Sequence, residues 1–257
     1  MIHTSIDKNL YPVTYNEISA ANITVRKKYI DENKANTWIS DNGFNYTEGI
    51  RCYCVLTTIG NVANKTILDV GGERKVFHTA IENMSGTSVI ANPDDSTCDG
   101  MNDYLDFKEA FRALGHIDII YCGHTIEHFL EKTEEAFIRE VVDIAKPKLI
   151  CIEPIFINRY PLNILEDSRM IEYADRESTI VIDPTTNFSG SKSRHMGFGR
   201  IYSLDTFKKR IINNLKGYKY ELIELHAKNN IPNISKYKYK RKDLNVPLRI
   251  LTAARLD

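Results

Sequence analysis

The chain has 257 residues, enough to bury a sizeable core in one α/β domain with an appendage. Lysine plus arginine balance aspartate plus glutamate at 34 each, so no whole-molecule field draws the protein toward nucleic acid or an anionic membrane. Five scattered cysteines, at 52, 54, 98, 122 and 151, are the usage of a reducing compartment; the opening MIHTSIDKNLYPV lacks a leader's basic and apolar regions, and no apolar run could span a bilayer, so the expectation is a cytoplasmic protein without a membrane partner.

Residues 1–64 are polar, Asn-rich and aromatic, with helical stretches expected near 15–37 and 47–59; they read as an N-terminal helical cap, serving as a lid or as a contact in a homodimer. From Lys65 to residue 257 short β-rich runs alternate with helical segments, which predicts βαβ units and a mostly parallel sheet. TILDVGG is the first strand, followed by a helix over about 76–84, a strand SVIAN, a polar stretch STCDGMNDYLDF and a helix EAFRAL. The strand HIDIIYCG follows, then an amphipathic helix over about 131–145 that Lys146, Pro147 and Lys148 stop before the strand LICIEPIF.

Residues 157–200 break the rhythm with a polar insertion too long for a plain connector. SLDTFKKRIINNL then has a capped helical pattern that stops at Gly217. YKYELIELH and VPLRILTAARL are two strands joined without a helix, hence antiparallel, through a basic, Tyr-rich loop.

An apolar strand that ends in an acid and runs through glycines into a helix lets a ligand approach the backbone at the carboxyl ends of a doubly wound sheet. Here the residues are Asp69, Gly71, Gly72 and Glu73. A dinucleotide fingerprint would need glycines where Glu73 and Val76 stand, and a carboxylate at the loop apex repels a pyrophosphate, so NAD and FAD are disfavoured.

Taken in order, TILDVGGERKVFHTA, the acidic pair Asp94 and Asp95, NDYLDF, HIDIIYCGHTIEHF and LICIEPIF resemble a class I S-adenosylmethionine-dependent methyltransferase of the small-molecule type, over roughly residues 47–257. The resemblance implies a Rossmann-like, seven-stranded, mostly parallel sheet with an antiparallel last strand, and S-adenosyl-L-methionine as cofactor. It places Asp69, Gly71, Gly72, Glu73 and Gly123 along the cofactor, Asp94 or Asp95 at the ribose hydroxyls, and Asp103 and Tyr104 at the adenine. The family's loop is DxGxGxG; this chain keeps only Gly71 of the three glycines, with Glu73 and Lys75 at the other two places.

HTIEH also spells HxxEH, a zinc-protease signature that needs His124 and His128 on one helical face with Glu127 as base. The motif directly follows a strand, which puts His124 at a strand end or in a loop, so no metal is expected. In the resemblance this position matches an apolar residue, Glu and His after the fourth strand, bordering cofactor and substrate. His128 then reads as a structural residue at a helix's first turn.

Because a sulfonium methyl is already electrophilic, a methyltransferase has mainly to hold the acceptor in line. A hydroxyl acceptor also needs a base, for which His124 is the first candidate and His195 the second. With a phosphate or carboxylate acceptor, His195 and Arg194 would bind the anion instead. Arg159, Arg194, Arg200 and Tyr202 are the substrate-side candidates, a lining suited to a phosphorylated or nucleotide-activated sugar or a related surface-polysaccharide precursor. Two alternatives stay open: an RNA methyltransferase using the basic loop 236–242, though the balanced charge argues against nucleic acid, and a binding protein of the same fold without cofactor, which Glu73 favours.

Overall fold

The apolar runs TILDV, TSVIA, IIYCG and LICIE each form a short strand whose alternate side chains enter two different cores, the pattern of a sheet covered on both faces. The computed structural model describes residues 23–72, 75–92, 103–104, 106–129, 131–154, 171–175, 178–182, 198–202, 204–227 and 248–256, with the backbone alone for 171–175, 178–182 and 198–201.

In chain order the elements are β1 (Val25–Ile30), α1 (Glu32–Asp41), α2 (Tyr46–Ile59), β2 (Thr66–Val70), α3 (Val76–Asn83), β3 (Thr87–Ala91), α4 (Phe107–Ala113), β4 (Ile119–Gly123), a 3₁₀ turn (Ile126–His128), α5 (Glu131–Glu140) running into a π turn (Val141–Ala145), and β5 (Leu149–Glu153). Then come β6 (Ile171–Asp175), β7 (Ser178–Ile182), β8 (Phe198–Tyr202), α6 (Leu204–Arg210), a second 3₁₀ turn (Ile212–Asn214), β9 (Tyr218–Ala227) and β10 (Leu248–Arg255). The main sheet has seven strands in the order β1-β9-β10-β5-β4-β2-β3. All neighbours are parallel except β10, which runs antiparallel to both β5 and β9. This is the mostly parallel sheet with an antiparallel last strand that the sequence pattern predicts.

One face of the sheet carries Leu68, Val70, Ile120, Cys122, Ile150 and Ile152 against residues of α4, α5 and α6. The other carries Ile67, Ile119, Tyr121, Cys151 and Ile223 against α1, α2 and α3. Cys52, Cys54, Cys122 and Cys151 are buried free thiols. Among the described residues no helix is long and apolar enough to cross a membrane.

One sequence expectation is corrected. The helix expected near 15–37 is instead β1 followed by α1 in its described part. Among the described strands VRKKYI is an edge strand, paired only with β9, and its three cations mask the alternation while discouraging pairing with another chain. Ile30, Ile39, Val55 and Ile59 share one core with Ile67, Ile119 and Ile250 of the sheet. Within the 157–200 insertion, β6, β7 and β8 form a separate three-stranded antiparallel sheet. The π turn after α5 ends at Lys146, which takes a left-handed conformation before Pro147, as the Lys-Pro-Lys stop predicts.

At the amino ends of the parallel strands, Asp118 ties three of them together. Its Oδ2 accepts from the Thr66 amide at 3.0 Å, and its Oδ1 lies 3.1 Å from both His116 Nε2 and Lys148 Nζ. Burial pushes this carboxyl up, but the donors from Thr66, His116 and Lys148 outweigh it and hold the pKa at about 2. A depressed carboxylate contributes stability above its ordinary range and loses it as pH falls through the folded value. Asp118→Asn is therefore expected to lower stability at pH 7 by about 1–2 kcal/mol, the two cationic partners being well exposed. The gap to wild type should close between pH ~4 and pH ~2; urea titrations at pH 7 and pH 3 check this, and an undiminished gap at low pH refutes it.

Candidate functional site

Parallel pairing of β3, β2, β4 and β5 brings their carboxyl ends to one edge, where the connecting loops meet. After β2, Asp69 is buried at 4 % exposure. Gly71 follows with φ of +76° and donates its amide to Ala91 O at 2.7 Å. A Cβ on Gly71 would overlap the Thr125 side chain, so this position needs glycine both for its left-handed backbone and for the close approach of the β4 loop. A Cβ on Gly72 would overlap the Asp69 carboxylate, and the Gly72 carbonyl accepts from Asn92 Nδ2 at 2.8 Å. Asp69, Gly71 and Gly72 thus form a tight cradle beneath the β4 loop.

Beside β3, Tyr104 makes a single parallel bridge to Ala91, exchanging backbone bonds with Ile90 and Asn92. Asp103 Oδ1 accepts from the Ile90 amide at 3.0 Å, which binds this segment to the sheet edge. Asp103 and Tyr104 are both half-buried next to the cradle. Glu73, Asp94, Asp95, Arg159, Arg194 and His195, with the 236–242 loop, lie outside the described residues. Arg200 sits in β8, registered opposite Ile180.

After β4 comes His124, a non-glycine residue with φ of +53°, its amide donated to Glu153 O at 3.0 Å. Its ring lies between two carboxylates, Nε2 at 2.8 Å from Glu153 Oε1 and Nδ1 at 3.4 Å from Glu127 Oε1. Glu153 is fully buried, and Arg51 of α2 donates Nε to its Oε2 at 2.8 Å. Tyr121 donates its hydroxyl to the same Oε2 at 3.2 Å and accepts from Arg51 Nη2 at 3.2 Å. Burial pushes the Tyr121 phenol well above its ordinary range, so it remains a donor. Glu127 is 1 % exposed, and among the described residues neither of its oxygens receives a hydrogen bond. At Gly123 an added Cβ would overlap the Tyr121 hydroxyl and sit 2.7 Å from Arg51 Nη2, so glycine leaves room for this cluster.

Sequence reasoning found His124 and Gly123 but missed Arg51, Tyr121 and Glu153. An acid closing an apolar strand was the signal used for Asp69, and LICIE offers the same signal at Glu153. Tyr202 is fully buried, its hydroxyl 2.5 Å from Glu134 Oε2 and 3.3 Å from Ile126 O, with Phe207 edge-on against its ring. It therefore braces the turn after β4 from within the core.

HTIEH does not form the helix that its zinc reading requires. His124 closes a strand turn, and only Ile126–His128 is wound, as one 3₁₀ turn, so the two histidines do not share an α-helical face. His128 donates its amide to Thr125 O at 2.9 Å. Among the described residues no three His, Cys, Asp or Glu side chains gather as a metal-binding group.

No family model matches the sequence, and no curated protein matches it. Solved structures do. A SAM-dependent methyltransferase from Archaeoglobus fulgidus is 13% identical, the match covering 85% of this chain and 98% of that one with a TM-score of 0.50. One from Methanosarcina mazei is also 13% identical, with 78% and 98% covered and a TM-score of 0.50. The small RNA methyltransferase HEN1 matches 80% of this chain at 13% identity and a TM-score of 0.48, and this chain spans 25% of its length. The chain has the Rossmann-like fold of these SAM-dependent methyltransferases.

Proposed function

We propose that this chain is an S-adenosylmethionine-dependent methyltransferase acting on a hydroxyl oxygen of a small anionic metabolite, such as a phosphorylated or nucleotide-activated sugar or a related surface-polysaccharide precursor. The observation that carries this reading is the imidazole of His124, held on Glu153 at the carboxyl edge of the sheet beside the glycine cradle. That is where a base for a hydroxyl acceptor is needed, and histidine is the side chain suited to the task near neutral pH.

The cradle fits the cofactor. Gly71 and Gly72 let the loop backbone lie close to Thr125 and Asp69, and Asp103 and Tyr104 are tied to the neighbouring strand β3. Glu73, Asp94 and Asp95 would complete the set. When bound, the cofactor supplies a methyl carbon whose bond to sulfur breaks as its bond to the acceptor oxygen forms, the sulfur keeping the electron pair. Thr125 and Asp69 fix the loop, and His124 takes the acceptor's proton. The described charges at this edge are predominantly acidic, which suits a hydroxyl at the reacting end. Arg159, Arg194 and Arg200, with His195, are the candidates to meet the acceptor's anionic part. We place the enzyme in the cytoplasm, with a homodimer as its larger assembly.

The test is calorimetric titration with S-adenosylmethionine and S-adenosylhomocysteine, with metal content assayed on the same sample. Saturable one-to-one binding is expected; absence of binding by folded protein favours a cofactor-less binding protein, and one zinc per chain lost on changing His124 restores the hydrolase reading. Phosphorylated sugars are then screened as acceptors, with RNA as the competing arm because of the basic loop 236–242.

Gly71→Val supplies a sharper version. Valine is strained at a φ of +76° and its Cβ overlaps Thr125. About 1–3 kcal/mol of strain, relieved by displacing the loop, should weaken S-adenosylhomocysteine binding about 100-fold while the cooperative melt persists. Unchanged affinity means that the ligand does not rest on this loop.

A further inference from the structure

We infer that Arg51, Tyr121 and Glu153 are positioning residues that fix the tautomer of His124 and make Nδ1, rather than Nε2, its proton-accepting atom; the chemistry rests on the methyl-transfer reading, the geometry does not. The Oε2 of Glu153 already receives the Arg51 Nε–H at 2.8 Å and the Tyr121 hydroxyl at 3.2 Å. Arg51 Nη2 donates to that same hydroxyl oxygen at 3.2 Å, which directs the phenolic proton toward Glu153. A guanidinium and a phenol converging on one oxygen favour the ionised, acceptor-only carboxylate. The proton in the 2.8 Å contact between Glu153 Oε1 and His124 Nε2 therefore belongs to the imidazole.

With Nε2 protonated, the lone pair of the neutral ring sits on Nδ1. That atom faces Glu127 Oε1 at 3.4 Å, too far for a strong hydrogen bond. Glu127 is buried, and no described residue donates to either of its oxygens. In the proton step the acceptor's O–H bond breaks and an Nδ1–H bond forms, so the ring becomes an imidazolium whose Nε2–H stays on Glu153. The Glu153 carboxylate is in place beforehand and lies beside the ring where the new positive charge develops.

The ring has little freedom to choose otherwise. His124 is locked at a φ of +53° with its amide on the Glu153 carbonyl, so backbone and side chain bind the same residue. Gly123 admits the brace, since a Cβ there would collide with both Tyr121 and Arg51. Arg51 comes from α2, which means that the N-terminal segment completes the site rather than merely covering it.

The experiment uses full-length protein labelled with ¹⁵N-histidine, recorded by long-range ¹H–¹⁵N correlation at pH 9, where free imidazole is neutral, with His124→Asn to assign the signal among seven histidines. Wild type should carry its proton on Nε2. Glu153→Gln, whose amide can donate to the ring, should lower the Nε2–H to Nδ1–H ratio about tenfold or more. Arg51→Met shifts the ratio in the same direction and decides the matter if the Glu153 variant does not fold. A proton on Nδ1 in wild type, or an unchanged ratio in the folded variants, overturns the assignment. Calorimetry with S-adenosylhomocysteine on the same samples separates the two claims: an Nε2–H ring without binding sinks the methyl-transfer reading and leaves the positioning role standing, whereas binding with an Nδ1–H ring sinks the positioning role alone.

Discussion

Replacing His124 with asparagine is expected to lower kcat by about 10²–10⁴-fold, the range for losing a positioned general base. Affinity for S-adenosylhomocysteine should change by less than about threefold, because the ring is not part of the glycine cradle. Asparagine is chosen because it tolerates the left-handed backbone found at this position, so the loop can keep its path while the imidazole is removed. The measurement is release of S-adenosylhomocysteine with whichever acceptor the screen identifies, across pH 6–9. A rate within tenfold of wild type would mean that the acceptor oxygen is already anionic and needs no base. The same variant with lost cofactor binding would instead place His124 in the cradle.

Phe137→Ala is expected to destabilise the fold by about 3–5 kcal/mol, the cost of removing a fully buried aromatic ring and leaving a cavity. Phe137 is completely enclosed, with Phe107 edge-on at 5.2 Å, Phe129 edge-on at 5.5 Å and Phe111 at 6.4 Å between ring centroids. These neighbours come from α4 and from the turn after β4, so closing the void would require two separately anchored segments to move. Urea unfolding followed by circular dichroism measures the change. A loss below about 1.5 kcal/mol would show that the aromatic cluster repacks. Because Phe129 immediately follows Ile126–His128, the cavity also removes support from beneath Glu127, and activity should fall at temperatures well below the melting transition.

The sequence reading was strongest where periodicity and burial agreed. TILDV, TSVIA, IIYCG and LICIE are short, apolar and bounded by turns, and each became a strand of the parallel region. The last two strands were placed antiparallel because no helix separates them, and β9 and β10 pair in that way. The reading failed where a strand serves the edge of the sheet. VRKKYI exposes Arg26 and Lys27, turns Lys28 onto the Thr57 carbonyl, and has one neighbour among the described strands, so neither hydrophobicity nor alternation announces it.

Within the site, the loop residues Gly71 and Gly72 and the residue after β4 were readable because sheet topology places loops there whatever their sequence. Glu153 was missed although an acid closes its strand just as Asp69 closes the first. Arg51 carried no local signal: its hydrogen bond to Glu153 joins residues 102 positions apart, and nothing in the helix YTEGIRCYCVLTTI distinguishes a brace from an ordinary solvent-facing cation.

The place of β10 between β5 and β9 has a consequence for folding. Among the described strands, β10 is the only link between β9, with β1 attached to it, and the rest of the sheet. Until residues 248–255 are in place, β5 and β9 each present an unpaired edge, and β1 is joined by strand pairing to β9 alone among the described strands. The described sheet is completed only when β10 pairs with both β5 and β9, which makes its closure a late step of folding.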